Sequence, residues 1–215
     1  VTEQQLDRRD LRRRGWHEWR VAAPSFLSAR RRGVLAAVSL VVGTVVAVLS
    51  DLAFSGLDGL DWTGAVRVVG STGFASVAVA LAIMATVAVW LRHDRRQLEP
   101  VSWRDDRLVV DYSTAGAPEL ASTLAPRLLA SARKQHLDLT GSVTGSLGMA
   151  GAFALGLAGV IALTVGSGFP GLGFLGTAVT MLSVPFTIAR GVEGLGRAAV
   201  AIDLAEAHAA SSLHP

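Results

Sequence analysis

No cysteine occurs in the 215 residues, which excludes a disulfide framework and thiolate metal sites. Charge is also scarce: Asp, Glu, Lys and Arg make up 17% of the chain, against about 25% in an ordinary soluble domain. There is one tyrosine, and Lys134 is the only lysine. The missing polar surface is replaced by apolar residues, which reach 51% with a mean hydropathy of +0.45. Too little of this chain is polar for it to be covered by water on all sides.

The apolar residues are not scattered. A helix needs about 20 predominantly apolar residues to cross roughly 30 Å of hydrocarbon, and four stretches of about that length carry no internal charge. They are Gly33–Ser50 with a possible extension to about residue 54, Gly73–Leu91, about 143–165, and about 172–190. Such a run can be buried once in a soluble core, but four of them predict an all-α integral membrane protein. The reading is four transmembrane helices arranged as two helical hairpins, spans 33–54 and 73–91 forming the first (33–91) and spans 143–165 and 172–190 the second (143–190). A basic tail (1–32) precedes them, a connector (92–142) joins them, and a helix and tail (191–215) follow. Gly166 to Gly171 reads as a tight turn within the second hairpin.

Lysine and arginine orient the spans, because loops on the cytoplasmic side carry the excess. With both termini inside, 19 of the 20 basic residues lie inside, Arg67 being the exception. The reading is therefore N-in and C-in. Arg30, Arg31 and Arg32 abut the first span, Arg92, Arg95 and Arg96 follow the second, and Arg190 closes the fourth. Trp16, Trp19, Trp62, Trp90 and Trp103 fall outside the spans or at their ends, as amphipathic rings do at an interface. The segment Arg31-Arg32-Gly33-Val34-Leu35 weakly resembles a twin-arginine signal. The apolar run after it is longer than a signal core and has no clean cleavage site, so the expectation is an uncleaved first span.

Two polar regions remain. The N-terminal tail mixes nine arginines with Leu6, Leu11, Trp16, Trp19, Phe26 and Leu27. It is read first as a topogenic tail, and second as a segment that lies in the interface and attracts anionic lipid. In the connector, Arg107–Tyr112 (RLVVDY) reads as a short strand. Leu120, Leu124, Leu128 and Leu129 repeat at helical spacing after Pro118 and around Pro126, which suit first-turn positions. The connector is expected to hold one or two short amphipathic helices over roughly 118–136. After the fourth span, RGVEGLGRAAVAIDLAEAHAASS reads as a continuing helix weakened by Gly191, Gly194 and Gly196.

Helices in lipid associate through close packing, which small residues allow. Ser39, Gly43 and Ala47 recur at four-residue spacing in the first span. Gly148, Ala152, Gly156 and Gly159 share one face of the third, and Ser146, Ala150, Ala154, Ala158 and Ala162 share a neighbouring one. The fourth offers Gly173 and Gly176, then Pro185, expected to kink it. These are the candidate packing or interaction residues.

No ionisable residue lies in the interior of the four spans, where such groups normally mark ion paths or catalysis; Asp51 and Arg190 sit at span ends, within reach of the headgroups. The histidines His17, His93, His136, His208 and His214 form no ligand pair at helical spacing, and no phosphate-loop, nucleophile-elbow or zinc-binding motif is present. His93–Asp94 and Asp105–Asp106 are the nearest approach to a reactive cluster. No cofactor, metal or nucleic-acid partner is expected. The reading is a non-catalytic multi-pass membrane protein: a scaffold, accessory subunit or regulator of a membrane complex, in contact with the lipid bilayer and with a membrane protein partner or a second copy of itself. The alternative is a small oligomeric transporter or channel. Arginine in place of lysine, amid abundant Ala, Gly and Val, has the codon bias of a GC-rich genome, so a bacterial cytoplasmic membrane is expected.

Overall fold

A computed structural model of the chain describes residues 8–55, 64–98, 100–102, 104–114, 119–167 and 174–211, without the side chains of 54, 64–69, 160, 162–167 and 174–183. Among these residues the protein is all-helical, with six helices. They are α1 (Arg8–Phe26), α2 (Ala29–Ser55), α3 (Gly64–Arg95), α4 (Asp106–Tyr112), α5 (Ala125–Ser167) and α6 (Phe174–Ser211). Three of them, α2, α3 and α5, contain stretches long and apolar enough to cross a membrane among the described residues. The fourth expected span falls on the first part of α6, where residues 172–173 and the side chains of 174–183 lie outside the described residues. Most of the Gly166–Gly171 turn lies outside them too.

The helices are longer than the apolar runs that nucleate them. The third span is not a separate element, since α5 starts at Ala125, with Pro126 in its first turn, and continues unbroken for 43 residues. At 1.5 Å per residue that is about 65 Å, twice the hydrocarbon thickness. The expected connector helix over 118–136 thus forms only from residue 125 on, and there it is one helix with the expected span over 143–165; residues 119–124 are not helical and Pro118 lies outside the described residues. Nothing in Ala125–Ser167 breaks it, because its only proline sits in the first turn, where a missing N–H costs no internal bond. The expected strand at Arg107–Tyr112 is corrected likewise: it is the short helix α4. A lone strand would leave its ladder groups unpaired, whereas one helical turn buries Val109 and Tyr112 together at i and i+3. Within the basic tail, residues 8–26 form a helix with Leu11, Gly15, Ala23 and Phe26 buried.

The chain divides into two compact units. One is apolar: residues 27–87 and 145–187, comprising α2, most of α3, the second part of α5 and the first part of α6. Here α3 and α5 run antiparallel, since their contact partners fall along one as they rise along the other. Gly145 meets Met84 and Val87, Gly148 meets Ile83, Gly156 meets Ser76 and Gly159 meets Thr72. Ala80, Ile83, Val87, Ser146 and Phe153 are buried in this unit. By contrast, α2 has no buried residue in its apolar window and displays Leu40, Val41, Val45, Val48, Leu49 and Leu52.

The other unit is polar at its surface: residues 1–26, 88–144 and 188–215. Its core joins α4, the start of α5 and the end of α6, and contains Val109, Tyr112, Leu120, Ala125, Leu128, Ala132, Ala201 and Ala205. Leu128, Leu195 and Val109 are its largest fully buried side chains. Fully burying one such side chain contributes about 1.5–3 kcal/mol. A seven-residue helix such as α4 has little stability alone and depends on this core.

Candidate interaction site

The packing residues expected from sequence fall into two groups. Gly148, Gly156 and Gly159 lie on the side of α5 that faces α3, with Ala152 half-buried between them. A Cβ at Gly156 would overlap the Ser76 hydroxyl and come within 2.6 Å of the Ser76 Cβ. At Gly148 it would come within 3.0 Å of Ile83. Gly43 on α2 brings Val79 of α3 to 3.1 Å of a built Cβ, while Ser39 and Ala47 are half-buried. On the neighbouring face of α5, Ser146 is buried but Ala154 and Ala158 are exposed. Pro185 is exposed within α6, which stays helical through it. Gly173 lies outside the described residues, and the surroundings of Gly176 do too.

The tightest approaches in the polar unit involve Gly15, which sequence reading did not single out, and glycines of α6 that it treated only as helix weakeners. A Cβ at Gly15 of α1 would run into the backbone carbonyl of Val192 and come within 3.0 Å of the Gly196 nitrogen. A Cβ at Gly196 would run into the carbonyl of Leu11. Thus α1 and α6 touch backbone to backbone, with one glycine supplied by each. Two more notches on α6 receive α5: Val143 fills the space over Gly191 and Leu139 the space over Gly194. On α5 itself, Gly141 receives Leu91 of α3. In the segment RGVEGLG, then, Gly191 and Gly194 serve one neighbour and Gly196 another. The sequence signal was present, since three glycines within six residues of a helix are costly unless something approaches closely.

Ion pairs border these contacts. Glu193 of α6 accepts from Arg197 one turn on at 2.8 Å and lies 3.7 Å from Arg12 of α1. Arg14 of α1 pairs with Asp203, Arg133 of α5 with Glu206 of α6 at 3.2 Å, and Arg95 of α3 with Asp138 of α5. His136 Nε2 lies 3.7 Å from Glu18. Exposed pairs of this kind contribute roughly 0.2–1 kcal/mol each, so they fix register more than they add stability. Asp106 has several partners. Its carboxylate accepts from Ser131 at 3.2 Å and from the lone lysine, Lys134, at 3.2 and 3.3 Å, while its carbonyl accepts from Gln135 at 2.8 Å. These bonds tie α4 to α5. Asp106, one of the four residues that sequence analysis placed nearest to a reactive cluster, is therefore occupied in joining two helices. His93 and Asp94 come to 4.0 Å, with the histidine side chain largely exposed.

A further feature of the unit is a cleft of about 480 Å³ along α1, lined by Arg13, Trp16, His17, Trp19 and Arg20. The two indoles meet edge to face, 5.5 Å between centroids. Trp19 donates its ring N–H to the Thr144 hydroxyl at 3.1 Å, which fixes the pair against α5. Comparison with family models, curated proteins and solved structures finds no match to this chain.

Proposed function

We propose that this chain is a non-catalytic multi-pass membrane protein that serves as a scaffold or accessory subunit of a membrane complex. In this reading four helices span a bacterial cytoplasmic membrane as two hairpins, and both termini and the polar unit face the cytoplasm. The observation that carries it is the polar unit itself. The chain passes into it within α3, α5 and α6, and it has its own apolar core and its own backbone-to-backbone helix contact. Such a unit is a shaped surface attached to membrane helices, which is what a subunit needs to hold a partner. The alternative, a transporter or channel, would need polar groups such as hydroxyls to line its pore, and two of them give it less support. Ser76 donates to the Thr72 carbonyl at 2.8 Å and Thr86 to that of Ala82 at 2.7 Å, so their protons are engaged within their own helix.

The test is gentle extraction of the tagged full-length chain from its native membrane, followed by native mass spectrometry. A second protein at fixed stoichiometry supports the reading. A defined homo-oligomer without a partner moves the function to transport, to be followed by flux assays in proteoliposomes. A monomer carrying only lipid or detergent overturns it.

A further inference from the structure

The arginines of α1 do two different things. Arg12 and Arg14 face acids of α6. Arg13 and Arg20 are exposed, and neither has an ion pair or hydrogen bond among the described residues. With Trp16 and His17 they stand at i, i+3, i+4 and i+7, one side of a helix, and all four line the cleft. The two guanidinium groups leave the helix two turns apart, about 10 Å along its axis. Between them lie two indole rings and an imidazole. Trp16, unlike Trp19, gives its ring N–H no acceptor among the described residues.

We propose that this cleft binds the phosphate-bearing headgroup of an anionic lipid. Arginine forks match phosphate oxygens in pairs, and a free indole N–H adds a third donor. A free phosphate ion would need only the cations. The tryptophan floor is apolar, and it suits a ligand whose phosphate continues into glycerol and acyl carbon. The chain points the same way: two residues after α1 ends, α2 begins as a helix apolar enough to cross a membrane. A basic, tryptophan-bearing helix directly before such a segment is placed to meet headgroups. The inference rests on the membrane placement above but not on the scaffold role.

The test uses the full-length chain in detergent micelles, offered phosphatidylglycerol and phosphatidylcholine in equal amounts and read by native mass spectrometry. Selective retention of phosphatidylglycerol is expected. Each cation at a membrane surface contributes roughly a fivefold gain, so Arg13→Gln with Arg20→Gln should lower retention about thirtyfold. Arg107→Gln with Arg127→Gln removes the same charge from exposed positions of the same unit and should leave retention unchanged. Equal loss in both double variants, or no preference between the lipids, overturns the proposal. Displacement of the lipid by millimolar inorganic phosphate assigns the site to free phosphate and overturns the lipid source. Unchanged helicity and melting in both variants shows that folding is not what is measured. Resistance of the wild-type chain to alkaline extraction from membranes checks the placement independently.

Discussion

Glycines that look alike in sequence differ sharply in what surrounds them. Gly151 and Gly156 both belong to the small-residue stretch of α5, yet nothing lies within 4 Å of a Cβ built on Gly151. At Gly156 the same atom meets Ser76, whose hydroxyl is held by the Thr72 carbonyl. Gly151→Ala should therefore be neutral or stabilising by up to about 1 kcal/mol, the helix-propensity gain. Gly156→Ala should destabilise by about 1–3 kcal/mol through overpacking, and Ser76→Gly in the same chain should recover most of the loss. Thermal unfolding in detergent, followed by circular dichroism, reads all three. Equal melting temperatures for Gly151→Ala and Gly156→Ala would remove the α3–α5 contact from the account. Sequence reading placed Gly148, Gly156 and Gly159 on one face, because helical period is visible in a string of letters. It could not tell which small face has a neighbour, because that depends on a residue about 80 positions away.

Among the elements, α1 was the least legible. Its nine-arginine neighbourhood hides a sparse buried stripe, Leu11, Gly15, Ala23 and Phe26, in which two members are too small to register as apolar signal. A glycine buried against backbone carries no hydropathy at all. The short helix α4 was misread for a related reason. Alternation of Leu108, Val110 and Tyr112 fits a strand as well as Val109 and Tyr112 fit a helix, and over six residues the period is undecided. The long apolar runs were legible because their length alone decides them. The α1–α6 contact gives its own prediction. Gly15→Ala and Gly196→Ala each press a methyl group into a backbone carbonyl that cannot rotate away, so each should lower stability by about 1–3 kcal/mol. Once the helices have parted for one methyl, the second should cost little and add its own helix propensity. The double variant should thus be less destabilised than the sum of the singles, by about 1 kcal/mol or more. Strict additivity in the unfolding free energies would mean the two glycines do not meet.

For the whole molecule, the absence of cysteine becomes an experimental advantage. Single cysteines can be placed without background, and the proposed orientation makes a definite pattern. A cysteine at Asp111 or Ala207, both exposed in the polar unit, should react with a membrane-impermeant maleimide only after the membrane is opened from the cytoplasmic side. One at Asp58, between the first two expected spans in sequence, should react in intact cells. The reverse pattern would overturn the N-in orientation, and labelling of all three in intact cells would overturn the four-span arrangement. The charge count that led to this orientation was legible because it needs no tertiary information. The division into two units was not: α3, α5 and α6 each take part in both, and no break in their sequences marks the passage.

The pairing of α1 with α6 also has a consequence in time. Arg14 and its partner Asp203 are separated by 189 positions, so α1 leaves the ribosome well before the end of α6. At about 5–20 residues per second, α1 waits on the order of 10–40 s before its partner exists. During that interval Gly15, Arg12 and Arg14 lack the α6 groups that they face in the folded chain. A ribosome stalled before Gly191 would leave α1 with its α5 contacts at Trp19 and Glu18 but without its α6 contacts.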